Sequence, residues 1–481
     1  MAQIFPEFRR GGKYRSRAAA GMERLYHRCY YDADTGLWRS PTAWWQSANA
    51  VETTVDYTAP SGAVAYWHFV ENTFAKNSGG FISNDYYDDE GWWALAWLKA
   101  FDFSNDGRYL DAAQIIFDDM IDGWDARCGG GIWWTKGDKP SPDGRPRQKN
   151  AIANELFFTI AAKLHVRVAA DRGAGSYLDW AQRAWSWFAG SGLVNAEGLI
   201  NDGLTLDCRN DGCPTWTYIQ GVILGGLVAL YQATGEDALL MQAGSIADAA
   251  IQLLTDEDGV LRGPPDNDEV LGVDGPQFKG IFVRNLCELY DVTQNPAYRD
   301  FILNNANSIW TWNRGLSFSF GGYWSGPFDR DDGARQGSAM DALNAALLFD
   351  TAGTTAYQAE EASIRGLITE SLHSGFHGTG YLAGWIHGGQ AVTFDVTASS
   401  SGRFDIVLRY ATVAGARRRI RLNGAVLELW HEFPATGSWS AWRTTTVYDV
   451  PLDAGLNQIS ISFETSPQSI GWLNLDELCI Q

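Results

Sequence analysis

Apolar residues recur at helical spacing in a series of segments that covers most of the first 350 residues. The clearest of these segments begins at the acidic run Asp88-Asp89-Glu90 and continues through Trp92 and Trp97 to Phe101. Because a helix dipole favours anions in the first turn, the acidic run predicts the start of a helix. Further helices are predicted over residues 18–26, 61–75, 109–122, 151–169, 176–189, 218–234, 238–254, 279–292 and 296–312.

These helices form a long-range repeat. The inner helix of each pair is predicted to start near residues 88, 150, 216, 278 and 337, a period of roughly 60 residues. Helical hairpins that recur in this way predict a repeat architecture of about six hairpins. The spacing alone does not decide whether the repeat closes into a ring.

Beyond Asp350 the helical period gives way to short alternating runs separated by Gly, Asn and Pro turns, which is typical of strands. These runs cover residues 391–396, 404–410, 419–422, 444–447 and 458–463. Strands of this length predict a β-sandwich. We therefore predict a multidomain chain, all-α over residues 1–354 and all-β over residues 355–481.

The amino-acid composition and net charge of the chain indicate which kinds of molecule it can bind. Of 481 residues, 45% are hydrophobic and 22 are Trp, which is typical of carbohydrate-active proteins, although most of these rings are expected to fill the core. A formal net charge of −20 repels phosphate backbones, so no nucleic acid partner is expected, whereas a neutral polymer is compatible. No apolar run reaches the length of a membrane span. The protein is expected to be a monomer.

Other chemistries find no support in the sequence. There is no HExxH, GxSxG or P-loop motif, and the seven His show no metal-ligand spacing. Cys208 and Cys213 flank a turn-forming Arg-Asn-Asp-Gly insert, so they are a candidate disulfide pair. Asp331-Asp332 is interpreted as a solvated loop, and the arginines at positions 417, 418, 419 and 421 as a solvated face.

The start of the Trp-rich helix combines acidic and aromatic side chains. Asp88 and Asp89 follow Tyr87 and precede Trp92, and carboxylates beside aromatic rings are typical of sugar-binding surfaces. Two carboxylates are also the minimum for cleaving a glycosidic bond, and retaining enzymes hold theirs about 5 to 5.5 Å apart. Neighbouring residues at a helix start can reach that separation. The alternative interpretation is that the acids merely cap the helix.

An Asp-Asp pair that opens a Trp-rich helix resembles the signature of glycoside hydrolase family 76, the endo-α-1,6-mannanases. The resemblance implies an (α/α)6 barrel in which Asp88 is the nucleophile and Asp89 the acid/base of a retaining, endo-acting hydrolysis of α-1,6-mannan or mannooligosaccharides. It implies no cofactor for the chemistry and an extracellular location, with a signal peptide absent from this chain. Alternatives are a transglycosylase acting on α-mannose-containing cell-wall or anchor glycans, a catalytically inactive glycan-binding protein, and a barrel epimerase, which would need a His pair.

Four loop-to-helix junctions resemble other motifs of the family. They are residues 128–134, 149–154, 216–221 and 277–284. The resemblance implies that they line one mouth of the barrel, and the candidate substrate-binding residues there are Tyr87, Trp92, Trp133, Trp134, Asn150, Tyr218, Gln220, Phe278 and Lys279. Ile219 stands where the family has Asn, so one subsite contact is expected to differ. The alternative is that the glycines permit turns and the rings fill the barrel.

The C-terminal segment resembles carbohydrate-binding modules of families 6 and 35. The resembling stretches are residues 357–360, 378–381, 437–442 and 474–476. The resemblance implies a structural calcium ion held by Glu360 and Asp476, in keeping with the preference of calcium for oxygen ligands, although Gln358 replaces the usual Glu. It also implies that the module binds glycan through Tyr381, Trp439 and Asn474.

Overall fold

The computed structural model of the chain describes residues 13–26, 30–39, 44–137, 147–168, 175–263, 272–350, 355–398 and 401–481. The chain divides into two compact units, one comprising residues 17–349 and the other residues 350–481 together with residues 13–16. The first unit is helical and the second consists mainly of β-strands. The predicted helix end at residue 169 and the predicted domain boundary at residue 354 lie outside the described residues.

The described residues form twelve α-helices that alternate between inner and outer positions. The inner helices are α2 (Trp44–Ser61), α4 (Tyr87–Ser104), α6 (Ala151–His165), α8 (Thr217–Thr234), α10 (Gly275–Thr293) and α12 (Gly333–Ala346). The outer helices are α1 (Lys13–Leu25), α3 (Trp67–Asn77), α5 (Gly107–Ile121), α7 (Tyr177–Gly190), α9 (Asp237–Leu253) and α11 (Pro296–Trp312). None of the helices in the described ranges is both long and apolar enough to cross a membrane.

Each inner helix packs against the next inner helix along the chain, and α12 packs against α2, so the six form a closed set. Burial separates the two layers. Helix α12 buries all 14 of its residues, whereas the outer helix α7 buries only Ala181, Ala184 and Phe188. An outer helix therefore presents one apolar stripe to the layer beneath it, while an inner helix is covered on every side.

The first inner helix was not predicted. A helix is predicted over residues 61–75, but α2 ends at Ser61 and α3 begins at Trp67. Helix α2 buries polar side chains, including Asn49 and Glu52, so its sequence has no apolar stripe to recognise. These groups are satisfied inside the ring, where Arg284 on α10 donates to Asn49 Oδ1 over 2.7 Å.

Short strands connect the helices of the first unit. They are β1 (Tyr31–Asp32), β2 (Leu37–Trp38), β3 (Lys149–Asn150) and β4 (Gly203–Leu204). β1 pairs with β2, and β3 pairs with β4, both antiparallel. The pairing of β3 with β4 joins the loop before α6 to the loop before α8, so it helps to fix the surface from which these inner helices start.

The second unit contains two antiparallel sheets. Their strands are β5 (Thr355–Gln358), β6 (Ser363–Arg365), β7 (Ile368–Glu370), β8 (Tyr381–Ala383), β9 (Ala391–Ala398), β10 (Gly402–Ala411), β11 (Ala416–Leu422), β12 (Ala425–Phe433), β13 (Arg443–Leu452), β14 (Gly455–Ser462) and β15 (Asn474–Ile480). One sheet has the order β13-β10-β15-β8-β7 with β5 beside β15, and the other has the order β12-β11-β14-β9-β6. The predicted order of a helical domain followed by a β-sheet domain is confirmed.

One apolar core holds these sheets together. Phe394 and Val396 of β9 and Ile406 and Leu408 of β10 are buried in it, which is the alternation that identified these strands in the sequence. The edge strand β12 was not predicted. It exposes Val426 and Leu429, so its sequence lacks a clear alternation between a buried and a solvated face.

Strand alternation also divides the arginine cluster that was predicted to be solvated. Arg419 and Arg421 are half-buried and pair with Glu464. Arg418 points into the core, where its guanidinium donates to the carbonyl oxygens of Ile470 and Gly471 and burial lowers its pKa to about 9. The prediction is wrong for Arg418, because a run of like charges on a strand places alternate side chains on opposite faces.

The acidic loop before α12 is also less solvated than predicted. Asp332 is buried and is the N-cap of α12, where its Oδ1 accepts from the backbone amide of Arg335 over 2.8 Å. Asp331 accepts from Nη2 of Arg24 over 2.6 Å. Both acids therefore anchor the start of the last inner helix.

Candidate active site

Asp88 and Asp89 lie in the first turn of α4, and neither residue is the N-cap. The N-cap is Tyr86, whose extended backbone is fixed by a hydrogen bond from its amide to Asn84 Oδ1 at 2.9 Å. The amide of Tyr87 donates to the carbonyl oxygen of Trp134 over 3.0 Å. The neighbouring loop therefore anchors the helix start and leaves both carboxylates available for other partners.

The Asp88 carboxylate is half-buried and accepts two hydrogen bonds. Its Oδ2 accepts from the indole Nε1 of Trp134 over 2.9 Å, and its Oδ1 accepts from the backbone amide of Asp89 over 3.1 Å. Burial and the adjacent charge of Asp89 raise the pKa of Asp88, while these two donors oppose the rise. The two donors and the start of the helix reduce this rise without cancelling it, and the pKa of Asp88 stays well above the usual value of a carboxyl.

The Asp89 carboxylate has one donor among the described residues. Its Oδ2 accepts from the side-chain amide of Asn84 over 2.6 Å. Burial raises the pKa of Asp89, the hydrogen bond from Asn84 opposes the rise, and the charge of Asp274 adds to it. The resulting pKa is about 7. Two adjacent carboxylates with raised pKa values can hold one proton between them near neutral pH, which is the condition for general acid and base chemistry.

Aromatic rings from four inner helices meet beside the pair. The ring of Trp92 lies 5.6 Å from Trp45 and 6.3 Å from Tyr218. Tyr218 in turn stacks on Phe278 with their centroids 4.0 Å apart. Trp216 packs edge-on against Phe278 at 5.5 Å. The N-terminal turns of α2, α4, α8 and α10 therefore converge on one aromatic surface, to which the predicted residues Trp92, Tyr218 and Phe278 contribute.

A third carboxylate, Asp274, lies next to this surface and was not predicted. Its side chain is exposed, and its Oδ1 accepts from Trp45 Nε1 over 3.0 Å and from Gln46 Nε2 over 2.7 Å. Its charge raises the pKa of both Asp89 and Tyr218. The available signal was the position of Asp274 directly before the Gly-Pro-Gln-Phe start of α10. Its hydrogen-bond partners, Trp45 and Gln46, lie on α2, and because that helix was not predicted they could not be identified from the sequence.

Two predicted aromatic residues have packing roles. Tyr87 is buried, its ring 5.4 Å from the ammonium of Lys136, and burial raises its pKa to about 12. Trp133 is buried on the opposite side of its loop from Trp134, where its Nε1 donates to Asp125 Oδ2 over 2.8 Å and the Arg147 guanidinium covers its ring at 4.3 Å. Of the two consecutive tryptophans, only Trp134 donates to Asp88.

Three predicted polar ligands are buried and bonded to backbone groups. Asn150 is the N-cap of α6 and accepts from the amide of Ala153 over 3.3 Å. Gln220 binds both backbone groups of Ile200, at 2.9 and 2.8 Å. Lys279 donates to the carbonyl oxygen of Gly322 over 2.7 Å. The structure therefore gives these side chains the role of fixing connecting loops.

The disulfide prediction is wrong. Cys208 pairs with Cys128, with an S–S distance of 2.03 Å, and not with Cys213. The bond spans 80 positions of sequence and ties the loop after α5 to the loop after α7. The short spacing between Cys208 and Cys213 was misleading because the repeat brings equivalent loops of neighbouring hairpins together.

In the β-unit, the two predicted calcium ligands hold the same loop. Glu360 Oε1 accepts from the amides of Thr379 and Gly380 over 2.7 and 3.1 Å, and buried Asp476 accepts from the amide of His377 over 3.1 Å. Asp476 also accepts from Nη1 of Arg409. Near this loop two buried oxygens, Gln358 Oε1 and Glu360 Oε2, have no hydrogen-bond partner among the described residues.

The predicted glycan-binding residues of the module differ in exposure. Tyr381 is fully buried with its ring edge-on to Trp442 at 5.2 Å, and Asn474 is buried at the start of β15. Trp439 is half-buried, its ring 6.3 Å from His373. The prediction missed Trp472, whose side chain is 69% exposed two residues before Asn474.

Two known protein families match this chain, one over its helical part and one over its β-strand part. Glycosyl hydrolase family 76 matches residues 13–358, and carbohydrate binding module family 35 matches residues 355–481. The mannan endo-1,6-alpha-mannosidase DCW1 of Saccharomyces cerevisiae is 27% identical in an alignment of 315 positions that covers 58% of this chain. The chain spans 65% of the length of that relative.

Among solved structures, the GH76A alpha-1,6-mannanase from Salegentibacter sp. HEL1_6 is similar with a TM-score of 0.60 and 25% identity, covering 70% of this chain and 99% of that protein. The Lin0763 protein from Listeria innocua is similar with a TM-score of 0.61 and 26% identity, covering 70% and 97%. Both resemblances drawn from the sequence are confirmed. Because the family 76 match covers well over half of its length, the chain belongs to glycosyl hydrolase family 76.

Proposed function

We propose that the protein is an endo-acting glycoside hydrolase that cleaves α-1,6-mannosidic linkages of mannan, and that its helical unit is an (α/α)6 barrel. Membership of family 76 and the names of the similar mannosidase and mannanase support the substrate. The closed set of six inner helices supports the barrel. The observation that carries the proposal is the Asp88–Asp89 pair, with raised pKa values, beside an aromatic surface.

The proposed mechanism retains configuration at the anomeric carbon. A carboxylate oxygen of Asp88 bonds to the anomeric carbon while the glycosidic bond breaks, and Asp89 gives its proton to the departing oxygen. Water then attacks the same carbon and gives a proton to Asp89, and the bond to Asp88 breaks. The donors on Asp88 favour its anion, and a pKa of about 7 keeps Asp89 protonated below neutral pH.

Substrate binding is proposed at the surface formed by Trp216, Tyr218 and Phe278, which are half-buried, because aromatic rings match the apolar faces of sugars. Trp92 is almost fully buried and supports this surface from below. Asp274 is proposed to accept hydrogen bonds from sugar hydroxyls, since it is exposed and held in place by two donors through one oxygen.

The test compares the wild type with Asp88→Asn and Asp89→Asn on linear α-1,6-mannan. Each substitution is expected to reduce the release of reducing ends by about 10³-fold or more. Asp102→Asn is the matched control, because Asp102 lies at the far end of the same helix and pairs with Arg167. Retained activity in Asp88→Asn and Asp89→Asn would overturn the assignment. A loss of activity supports it when circular dichroism shows that the variants fold natively.

Product analysis separates the alternatives. Free mannooligosaccharides of several lengths indicate endo-hydrolysis, longer chains indicate transglycosylation, and binding without cleavage indicates an inactive glycan-binding protein. The configuration of the first product, read by NMR before mutarotation, tests retention: the α anomer is expected, and a β anomer would exclude the two-step mechanism.

The module is proposed to hold a structural calcium ion and to bind glycan. The oxygen atoms of Gln358, Glu360 and Asp476 are of the type that calcium prefers, and the two unpartnered buried oxygens support a bound cation. The ion would order the loop from His377 to Gly380 and take no part in catalysis. Trp472 and Trp439 are the proposed glycan contacts.

The Cys128–Cys208 disulfide supports an extracellular location for the protein, because disulfides persist in oxidising compartments. That the protein is a monomer remains a prediction.

A further inference from the structure

A buried lysine organises the glycine-rich loop before β3. Lys149 is 1% exposed, and its ammonium donates to the carbonyl oxygens of Arg127, Gly130 and Gly131 over 2.8, 2.6 and 2.7 Å. It also donates to Asp125 Oδ1 over 2.6 Å. The carbonyl oxygen of Asp125 is a fifth acceptor at 3.4 Å, so the three hydrogens of the ammonium group have more acceptors than they need and none is left unbonded. The arrangement resembles the coordination of a bound cation by a loop.

Lys149 is one of several anchors of this loop, beside the Cys128–Cys208 disulfide and the hydrogen bonds of Asn154 to both backbone groups of Ile132. Gly130 and Gly131 have φ values of +143° and +82°, which turn their carbonyl oxygens toward the lysine. A Cβ on Gly131 would lie 2.5 Å from the ring of Trp187, so no larger residue fits there. Without the ammonium, converging carbonyl dipoles would remain buried and unpaired.

The same loop presents Trp134 to the candidate nucleophile. Trp133 is fixed to the loop base by its Nε1 bond to Asp125 Oδ2 at 2.8 Å. The backbone amide of Trp134 donates to the carbonyl oxygen of Gln148, the residue before Lys149, over 3.0 Å. From this position Trp134 Nε1 donates to Asp88 Oδ2 over 2.9 Å. The hydrogen bonds from Lys149 to Asp125, from Trp133 to Asp125 and from Trp134 to Asp88, joined by the Trp133–Trp134 peptide bond, therefore connect the Lys149 ammonium with the Asp88 carboxylate.

We propose that Lys149 is a positioning residue for the reaction, which acts through residues 125–134 to hold the Trp134 indole against Asp88. The inference rests on the proposed role of Asp88 as nucleophile. Lys149 itself contacts neither Asp88 nor Asp89 among the interactions of the described residues. Its effect is therefore on the ionisation and orientation of Asp88 rather than on substrate binding.

Removal of the lysine charge should change kcat rather than KM. When Trp134 loses its position, Asp88 loses a donor that favours its anion, so its pKa rises and the acidic limb of kcat/KM moves to higher pH. Among the described residues, Asp89 on α4 and Tyr218 on α8 also interact electrostatically with Asp88, and the substitution leaves both in place. Since a hydrogen bond to a charged group is lost, kcat should fall by about 10- to 100-fold.

The experiment compares Lys149→Met, Trp134→Phe and the double variant with the full-length wild type on linear α-1,6-mannan. We expect both single variants to move the acidic limb upward, and the double variant to move it no further than the larger single effect. Lys163→Met is the matched control, because Lys163 is also a helix-unit lysine in an ion pair, with Glu288 at 2.7 Å. An unshifted acidic limb in Lys149→Met, or additive effects in the double variant, would overturn the proposal.

Two further measurements keep the outcome decisive. If Lys149→Met does not fold, Asp125→Asn removes one partner of the ammonium from an exposed position, and it should move the acidic limb in the same direction by less. A carboxyl ¹³C NMR titration, assigned to Asp88 by comparison with Asp88→Asn, needs no turnover. If the wild type cleaves no mannan, the proposed function fails, whereas an unchanged Asp88 titration in Lys149→Met would refute the positioning role alone.

Discussion

Asn84 donates its side-chain amide to Asp89 Oδ2 over 2.6 Å, five residues along the chain at the start of α4. The same side chain accepts from the amide of Tyr86 over 2.9 Å, so the turn before the helix fixes its orientation. The bond favours the ionised form of a carboxyl whose pKa burial raises to about 7. Asn84 therefore keeps the pKa of the proposed acid/base from rising further.

Loss of this donor should extend activity to higher pH. In Asn84→Ala the pKa of Asp89 rises, and because the acid must be protonated, the alkaline limb of kcat/KM moves upward. The ratio of activity at pH 8 to that at pH 6 should increase about threefold or more. The control is Asn77→Ala, whose side-chain amide donates to the carbonyl oxygens of Thr35 and Thr73. An alkaline limb that stays in place or moves downward would contradict the prediction.

The disulfide pairing predicts which cysteines matter for stability. Cys128→Ser or Cys208→Ser should lower the free energy of unfolding by about 4 kcal/mol, because the bond closes a long loop in the unfolded chain. Cys213→Ser, the matched control, should lower the denaturant midpoint less than either substitution, because Cys213 takes no part in this bond. If Cys213→Ser were destabilising and Cys128→Ser neutral, the short-range pairing would be correct instead.

Helix α10 is joined to its neighbours by a buried arginine. Arg284 donates to Asp341 Oδ2 over 3.1 Å, to Glu52 Oε1 over 3.2 Å and to Asn49 Oδ1 over 2.7 Å. Arg284→Met should lower the free energy of unfolding by about 3–5 kcal/mol, since it leaves the buried Asp341 carboxylate without its ion-pair partner and leaves Glu52 paired with Lys99 alone. Urea denaturation measures this. The deficit should shrink at lower pH, because burial raises the pKa of Asp341 to about 6 and this carboxyl can then bind a proton.

The control for this substitution is Arg299→Met, which removes a solvent-exposed pair with Asp300. Such surface pairs contribute little, so its midpoint should match the wild type. Equal losses in the two variants would show that the buried network is not what stabilises the helical unit.

Calcium should stabilise the β-unit if the proposed site is correct. Calcium in excess should raise the unfolding midpoint of this unit by about 5 °C relative to EDTA, because an ion that binds only the folded state shifts the equilibrium. Glu360→Gln should abolish the difference. Glu361→Gln, an exposed neighbour, is the control and should retain it. Equal midpoints of the wild type in calcium and in EDTA would refute the site.

The sequence by itself determined the features that follow local rules. The acidic start of α4 and the apolar stripes of the outer helices were visible because one residue in three or four faces the core. The strands of the module were visible in β9 and β10, where buried and solvated positions alternate. The Asp88–Asp89 pair was identifiable because both acids and their aromatic neighbours are contiguous in the chain.

Only the tertiary structure decided which side chains reach the site. Helix α2, with Trp45 and Gln46, was hidden because an inner helix buried on all sides shows no amphipathic period. Lys279 and Gln220 have the residue types of sugar ligands, yet both bind backbone groups of connecting loops. The physical reason is that closing the ring brings distant segments together, and polar groups buried there must find partners that sequence spacing does not specify.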